Sequence, residues 1–427
     1  MTLAPAQRQS SRNRTRDRLP RFAVVAVFFV HGLLFASWAA HIPQVKEHLR
    51  LGVGSLGFAL LGAPIGSVLA IAVAARLLPR LGSRRMVRVA LLGYCASGPI
   101  IGLAGSLATF VLAFGLWGFF QGALDVSMNT QAISVERFSA RVLMPGFHGS
   151  WSVGALAGAA IGALAVGLGI SLSEQLLMLA TPCLFLAGWL TTKMIPDRRS
   201  EAATSSPPQS ADRGGVMQKA VIVLGAIVLA DMLCEGAAAD WAAVYLHGSL
   251  HAAPVIAGLA YTAYALTMTA VRLSGNRLLT RFARNRLLPL LAGIATVGFA
   301  AGLLIGRPAS VLVGFAFLGA GLACVVPTIL SAAGDVANVD AGRAVAVVAG
   351  CGWAGFVIGP VLLGAIAAST SLRAALFVIP FLTGIVTLAT GSAHVLRTDG
   401  PGRSSSSRMR SMVRRSPGSS ENSTNRW

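Results

Sequence analysis

Charge is what this chain lacks: only 12% of its 427 residues are Asp, Glu, Lys or Arg, and only 15 are acidic. With 55% hydrophobic residues it is neither a disordered polymer, which needs low hydrophobicity and high charge, nor an ordinary water-soluble enzyme. The 48 glycines follow no Gly-X-Y period, which excludes collagen. Cysteine is scarce, and Cys95, Cys183, Cys234, Cys324 and Cys351 all lie in apolar stretches without CxxC spacing. They read as small buried hydrophobes, not as a disulfide framework or a zinc site. The GxxxxGK[ST], HExxH and GxSxG patterns are all missing, so phosphate-loop, metalloprotease and serine-hydrolase chemistry have no machinery here. No enzyme, cofactor or metal is expected, and the remaining class is a helical polytopic membrane protein.

What the chain does carry is basic charge, 35 Lys and Arg for a net +20. In a soluble protein that balance would suggest nucleic acid. Here the basic residues crowd into both tails and alternate connecting loops, with no aromatic-interleaved basic domain. That placement is a topology signal beside anionic lipid, so the expected partner is the bilayer and not nucleic acid. Arg8, Arg12, Arg14, Arg16, Arg18 and Arg21 precede an apolar run from Phe22 to about Ile42. The run is too long for a signal-peptide core and has no A-x-A site, so it reads as a first spanning helix.

Apolar stretches able to cross a hydrocarbon core at about 1.5 Å per residue recur at 22–43, 54–75, 86–106, 107–131, 143–168 and 172–195. A polar, Pro- and Ser-rich linker at 196–217 follows. Six more stretches lie at 218–245, 254–274, 287–306, 308–334, 342–369 and 372–396. The expected organisation is a basic tail (1–21), a six-helix bundle (22–195), the linker (196–217), a second six-helix bundle (218–396) and a disordered basic tail (397–427). Twelve spans place both termini on one side. Only Lys46, Arg50, Arg307 and Arg373, four of the 35 basic residues, then fall on the opposite side. By the positive-inside rule the termini are cytoplasmic, in an inner (plasma) membrane.

The halves echo one another. RLLPR from Arg76 returns as RLLTR from Arg277, Trp38-Ala39-Ala40 as Trp241-Ala242-Ala243, and Trp151 as Trp353, at offsets of 201, 203 and 202 residues. Two similar bundles can rock about a site between them, as an alternating-access transporter requires.

On these features the chain resembles the major facilitator superfamily over residues 22–396. The family's loop signature after the second helix, G-x-x-x-D-R-x-G-R-R, appears in degraded form as Ala75, Pro79, Arg80, Gly82, Arg84 and Arg85, with Pro79 where the family has Asp. The resemblance implies a cytoplasmic gate at Arg80, Arg84 and Arg85. GLLFASWAAHIP from Gly32, MPGFHGSWSVGALAGA from Met144, EGAAADWAAVYL from Glu235 and GPVLLG at Gly359 are similar to the YbjJ-type branch, related to fucose permease-like sugar symporters. That likeness implies a twelve-helix fold in two pseudo-symmetric bundles, a monomer, and an acidic position on the fourth helix four residues before an Asn. Asp125 and Asn129 occupy those positions.

Several polar residues stand inside the apolar stretches, where a charged group costs about 3 kcal/mol or more. Gln121, Asp125 and Asn129 recur every four residues and share one helix face, a natural lining for proton or solute work; Asp125 could equally latch Arg80 or Arg84. Glu235 lies near mid-helix in the seventh span as a proton-coupling candidate, with Asp231 one turn before it and Asp240 nearer the outer surface as a solute contact. His31 and His148 could carry protons or contact solute, or be hydrogen-bonded core residues. Trp38, Trp151, Trp241 and Trp353 could stack on a ring-bearing ligand or serve packing. The glycines at 154, 158 and 162, and at 355 and 359, permit close helix approach. The expected function is secondary transport of a small organic solute, with proton symport ahead of a drug- or metabolite-exporting antiport and of a non-transporting receptor.

Overall fold

The computed structural model describes residues 18–139, 143–196, 219–334, 336 and 341–392. The tail at 397–427, most of the tail at 1–21 and most of the linker at 196–217 lie outside the described residues. Eleven helices among the described residues are long and apolar enough to cross a membrane: α1 Arg18–His48, α2 Val53–Leu81, α4 Leu107–Ser139, α5 Met144–Gly167, α6 Leu172–Thr191, α7 Lys219–Gly248, α8 Pro254–Gly275, α9 Arg284–Ile305, α10 Pro308–Gly334, α11 Arg343–Ser369 and α12 Leu372–Ser392. The twelfth, α3 (Ser83–Ile101), opens on Arg84, Arg85 and Arg88, which dilute its apolar character, yet it is a continuous helix packed on α4 and α6.

Helix ends depart from the apolar runs where polar sequence continues the helix beyond the hydrocarbon. α1 begins at Arg18, inside the segment expected to be tail, and α4 runs on to Ser139. α1 is not uniform. It passes through a 3-10 turn at Ala39–His41 and resumes as α-helix with Pro43 in its first turn, a position that needs no backbone N–H. His41 pins this break: buried, it pairs with Gln44 and with Gln175 of α6 at 2.8 Å, while the Gln175 amide donates to the Ser37 carbonyl at 3.0 Å.

The duplication is physical. Arg18 and Lys219, Ser83 and Arg284, and Leu107 and Pro308 open equivalent helices at the 201-residue offset. Packing repeats as well, with α1 on α5, α2 on α4 and α3 on α6 in one half, and α7 on α11, α8 on α10 and α9 on α12 in the other. Even a strained turn recurs, since Arg50 and His251, 201 residues apart, both adopt φ 51° in the left-handed region that non-glycine residues seldom enter.

Within each half the helices touch backbone to backbone. A methyl group at Gly154, Gly158 or Gly162 of α5 would stand 2.1, 2.0 or 2.3 Å from the carbonyl oxygens of Phe29, Leu33 and Ser37 on α1. At Gly355 of α11 it would stand 2.4 Å from the Leu229 carbonyl of α7. The small-residue spacing is therefore a packing device.

Between the halves, α5 lies along α8 for most of its length, from Gly149 beside Leu273 to Ala163 beside Gly258. Other close approaches gather at the end of the bundle away from Arg18 and Ser392, called here the far side. There Gly57 of α2 meets the Pro360 carbonyl and Gly364 of α11, and the 3-10 turn of α1 packs on α7 and α8.

Candidate functional site

The polar residues of the spans fall into three neighbourhoods. In the first, His31 of α1 is only 4% exposed. Its Nδ1 accepts a hydrogen bond from Trp151 Nε1 of α5 at 2.7 Å, and its ring stacks on Tyr94 of α3 with centroids 5.6 Å apart. An indole N–H can only donate, so the neutral ring keeps its proton on Nε2. Tyr94 stacks in turn on Trp117 at 5.0 Å, and Trp117 meets Phe114 and Trp38. Trp38, expected as a solute contact, is thus a member of a buried aromatic stack, its ring 4.5 Å from that of Phe114.

The second neighbourhood is the α4 stripe. Asn129 Nδ2 donates to the Asp125 backbone carbonyl at 2.8 Å and to its Oδ1 at 3.2 Å, while Ser67 of α2 reaches Gln121 Oε1 at 3.5 Å. Arg84, a candidate to latch Asp125, donates to the Thr192 carbonyl at 2.6 Å, and Arg88 bonds Thr191. These guanidinium groups cover the carbonyl end of α6, where positive charge is favoured. Arg80 and Arg85 are exposed.

The third neighbourhood lies on the seam between the halves. Asp231 and Glu235, one turn apart on α7, are 1% and 7% exposed, and both Asp231 oxygens and Glu235 Oε2 have no hydrogen-bond partner among the described residues. Arg272 of α8 is their nearby positive charge. Its guanidinium stands 3.4 Å from Ser152 Oγ of α5 and 3.5 Å from the Ala323 carbonyl of α10, and its field reaches Asp231, Glu235 and His148 of α5. Tyr261 and Tyr264 of α8, stacked 5.7 Å apart, belong to the same charge system, and Asp240 acts on Tyr261. Trp241 is fully buried; Trp353 is half-buried beside Phe356.

Arg272 is the residue that sequence reading missed. It stands at the end of an apolar run and was counted with the loop charges. Yet it follows Tyr264 by eight residues, which returns it to the same helix face, and that register was the available signal. Among the described residues no group of three or more His, Cys, Asp or Glu side chains could hold a metal ion.

This arrangement, two like bundles with unpartnered acids at their seam, bears directly on kinship. The chain is 32% identical over 370 residues to an uncharacterised MFS-type transporter of Yersinia pestis, spanning 87% of this chain and 94% of that one. This chain belongs to the major facilitator superfamily. The Major Facilitator Superfamily model itself matches residues 223–419. The membrane protein MosC of Rhizobium meliloti is 32% identical over 359 residues, covering 84% of this chain and 86% of its own. Among solved structures, the D-xylose-proton symporter superposes with a TM-score of 0.70 at 17% identity over 89% of this chain and 99% of the other. The nucleoside transporter NupG (D323A mutant) gives 0.70 at 12% over 87% and 98%. These likenesses show the superfamily fold, and the chain is a multi-pass membrane transporter of this superfamily, not an enzyme.

Proposed function

We propose that this superfamily member is a secondary active transporter of a small, sugar-like organic solute, working by alternating access and coupled to protons. The observation that carries the reading is the seam, where Asp231 and Glu235 are buried without hydrogen-bond partners beside one guanidinium. Carboxyl groups so placed are suited to exchanging a proton or a solute hydroxyl as the halves rock. Asp125 is the first coupling carboxylate to test, with Glu235 next, while Trp151, His148 and Asp240 are solute contacts. The D-xylose-proton symporter and NupG move a sugar and nucleosides on this fold, which supports a sugar-like cargo. The motifs from Gly32, Met144 and Glu235 support a place in the YbjJ-type branch.

In this reading the termini are cytoplasmic in a bacterial inner membrane. The far side, where the halves meet at Gly57 and Gly258, is then external, and the protein works as a monomer. The runner-up, a proton-driven exporter of drugs or metabolites, uses the same carboxyls with the solute gradient reversed.

Uptake of labelled sugars into proteoliposomes, with and without a pH gradient, tests the proposal. Accumulation should require the gradient. Asp125→Asn should abolish accumulation while sparing solute exchange, which moves no net proton. Full accumulation by Asp125→Asn would remove Asp125 from the coupling role, and gradient-driven efflux of cationic drugs in place of sugar uptake would favour the exporter.

A further inference from the structure

We propose that Glu47 and His247 form a proton-dependent strap that holds the far side of the transporter closed, an inference that rests on the alternating-access reading. Glu47 ends α1 in the first half and His247 ends α7 in the second. His247 Nε2 stands 3.2 Å from Glu47 Oε1, an ion pair between the halves. The other ring nitrogen, Nδ1, stands 3.0 Å from the Ala252 carbonyl oxygen, in the turn that follows α7.

Both neighbours are acceptors. A carbonyl oxygen never donates, and an ionised carboxylate only accepts, so the ring must present an N–H on each side. The pair therefore holds one proton more than a neutral imidazole and a carboxylate possess together. When that proton leaves, Nδ1 keeps its hydrogen for Ala252, and the lone pairs of Nε2 and Glu47 oppose each other across the gap. The strap then pushes where it had pulled.

The setting suits a sensor. The two side chains are 29% and 63% exposed, so protons reach them from the solvent on that side. The charged and titratable groups on the elements around this corner are Lys46 and His48 of α1, Arg50 and His251 of the two equivalent turns, and Arg373 at the start of α12, whose guanidinium donates to the Leu304 carbonyl. Asp240 lies two turns before His247 on α7, and the far-side carboxylate Glu174 is committed to the capping box of α6 with Ser171. Glu47 is thus the carboxylate in direct contact with His247. Other contacts between the halves on this side, such as Gly57 with Pro360 and Gly258 with Ala163, are steric and insensitive to pH. An exposed pair shifts an equilibrium only a few-fold. That suffices where two states of a transporter are nearly balanced.

The test uses the full-length protein in nanodiscs, with native cysteines removed and spin labels at Ser55 and Thr370, exposed far-side positions in opposite halves. The open, long-distance population should rise a few-fold between about pH 5 and about pH 8, the range in which histidines change charge. His247→Ala should flatten that profile. Glu47→Gln should hold the closed distance at both ends of the range, because an amide N–H can donate to the neutral ring's Nε2. If His247→Ala keeps the wild-type profile, or if wild type shows both distances in pH-independent proportion, the strap is wrong and alternation stands. One distance under every condition, solute included, would sink both.

Discussion

Trp151 donates its indole N–H to His31 Nδ1 across 2.7 Å, joining α5 to α1. The bond commits one nitrogen of a histidine that by sequence could have been a proton carrier, and it turns the indole so that its ring, not its N–H, is left for other contacts. Asn can accept from the indole in the same place, whereas Leu cannot. His31→Leu should therefore cost about 1–3 kcal/mol by leaving a buried donor unsatisfied, with His31→Asn costing less. Thermal unfolding in detergent reads the difference. Gradient-driven uptake that survives in His31→Asn would make His31 a positioning residue for Trp151, and loss of coupling with intact stability would make it a proton carrier.

Arg272 of α8 stands near two carboxyl groups of α7, in its own half, without a salt bridge to either. Arg272→Gln leaves Asp231 and Glu235 without their nearby cation, and transport should fall more than about tenfold, the scale of a disturbed buried charge. Adding Glu235→Gln removes part of the imbalance, so the double variant should be more stable than Arg272→Gln alone. A thermal-shift comparison of the four proteins forms the double-mutant cycle, and strict additivity would mean that the two side chains do not communicate.

The α5 glycines offer a sharp steric contrast. At Gly158 a methyl group would stand 2.0 Å from the Leu33 carbonyl oxygen, while at Gly188 of α6 nothing among the described residues lies within 4 Å. Gly158→Ala should destabilise at or above the upper end of the usual overpacking cost, about 3 kcal/mol. Gly188→Ala should be neutral or stabilise by roughly 0.5–1 kcal/mol through helix propensity. Size-exclusion profiles of the two variants make the comparison directly.

Topology is open to a reporter assay. A fluorescent protein that matures only in the cytoplasm, fused after Trp427, should fluoresce, and a periplasm-active phosphatase at the same point should be silent. The reverse pattern would overturn the cytoplasmic assignment of the termini.

Much of the fold was legible because it is written in long-range composition. Apolar runs marked eleven spans directly, and the third was found from its run at 86–106 although Arg84, Arg85 and Arg88 crowd its first turns. The RLLxR and Trp-Ala-Ala echoes gave the duplication, which the paired helix starts and the matching turns at Arg50 and His251 repeat in three dimensions. Helix ends were less legible, since hydropathy follows the membrane-embedded part and not the helix, as α4 shows in running to Ser139. The site was legible only by residue type. Asp125 and Asn129 do share a face and a hydrogen bond, but nothing in the spacing says that Arg84 turns to the end of α6. Arg272 was hidden for a physical reason: a charge one or two turns inside a span has the same sequence context as one just outside it, and only the facing helices separate the two.

The glycine contacts have a mechanical consequence. Where α5 sits on α1, and α11 on α7, backbone meets backbone at the glycines, so each pair is a stiff strut of fixed thickness. A machine assembled from such struts bends at its joints and not along its beams. The α5–α8 joint is different: Ser152, Thr269 and Arg272 meet there through side-chain hydrogen bonds that can be exchanged one at a time. A wedge, a cross-link or an inhibitory binder placed across that joint would therefore stall the whole cycle, while the same obstacle along a strut would only be carried along.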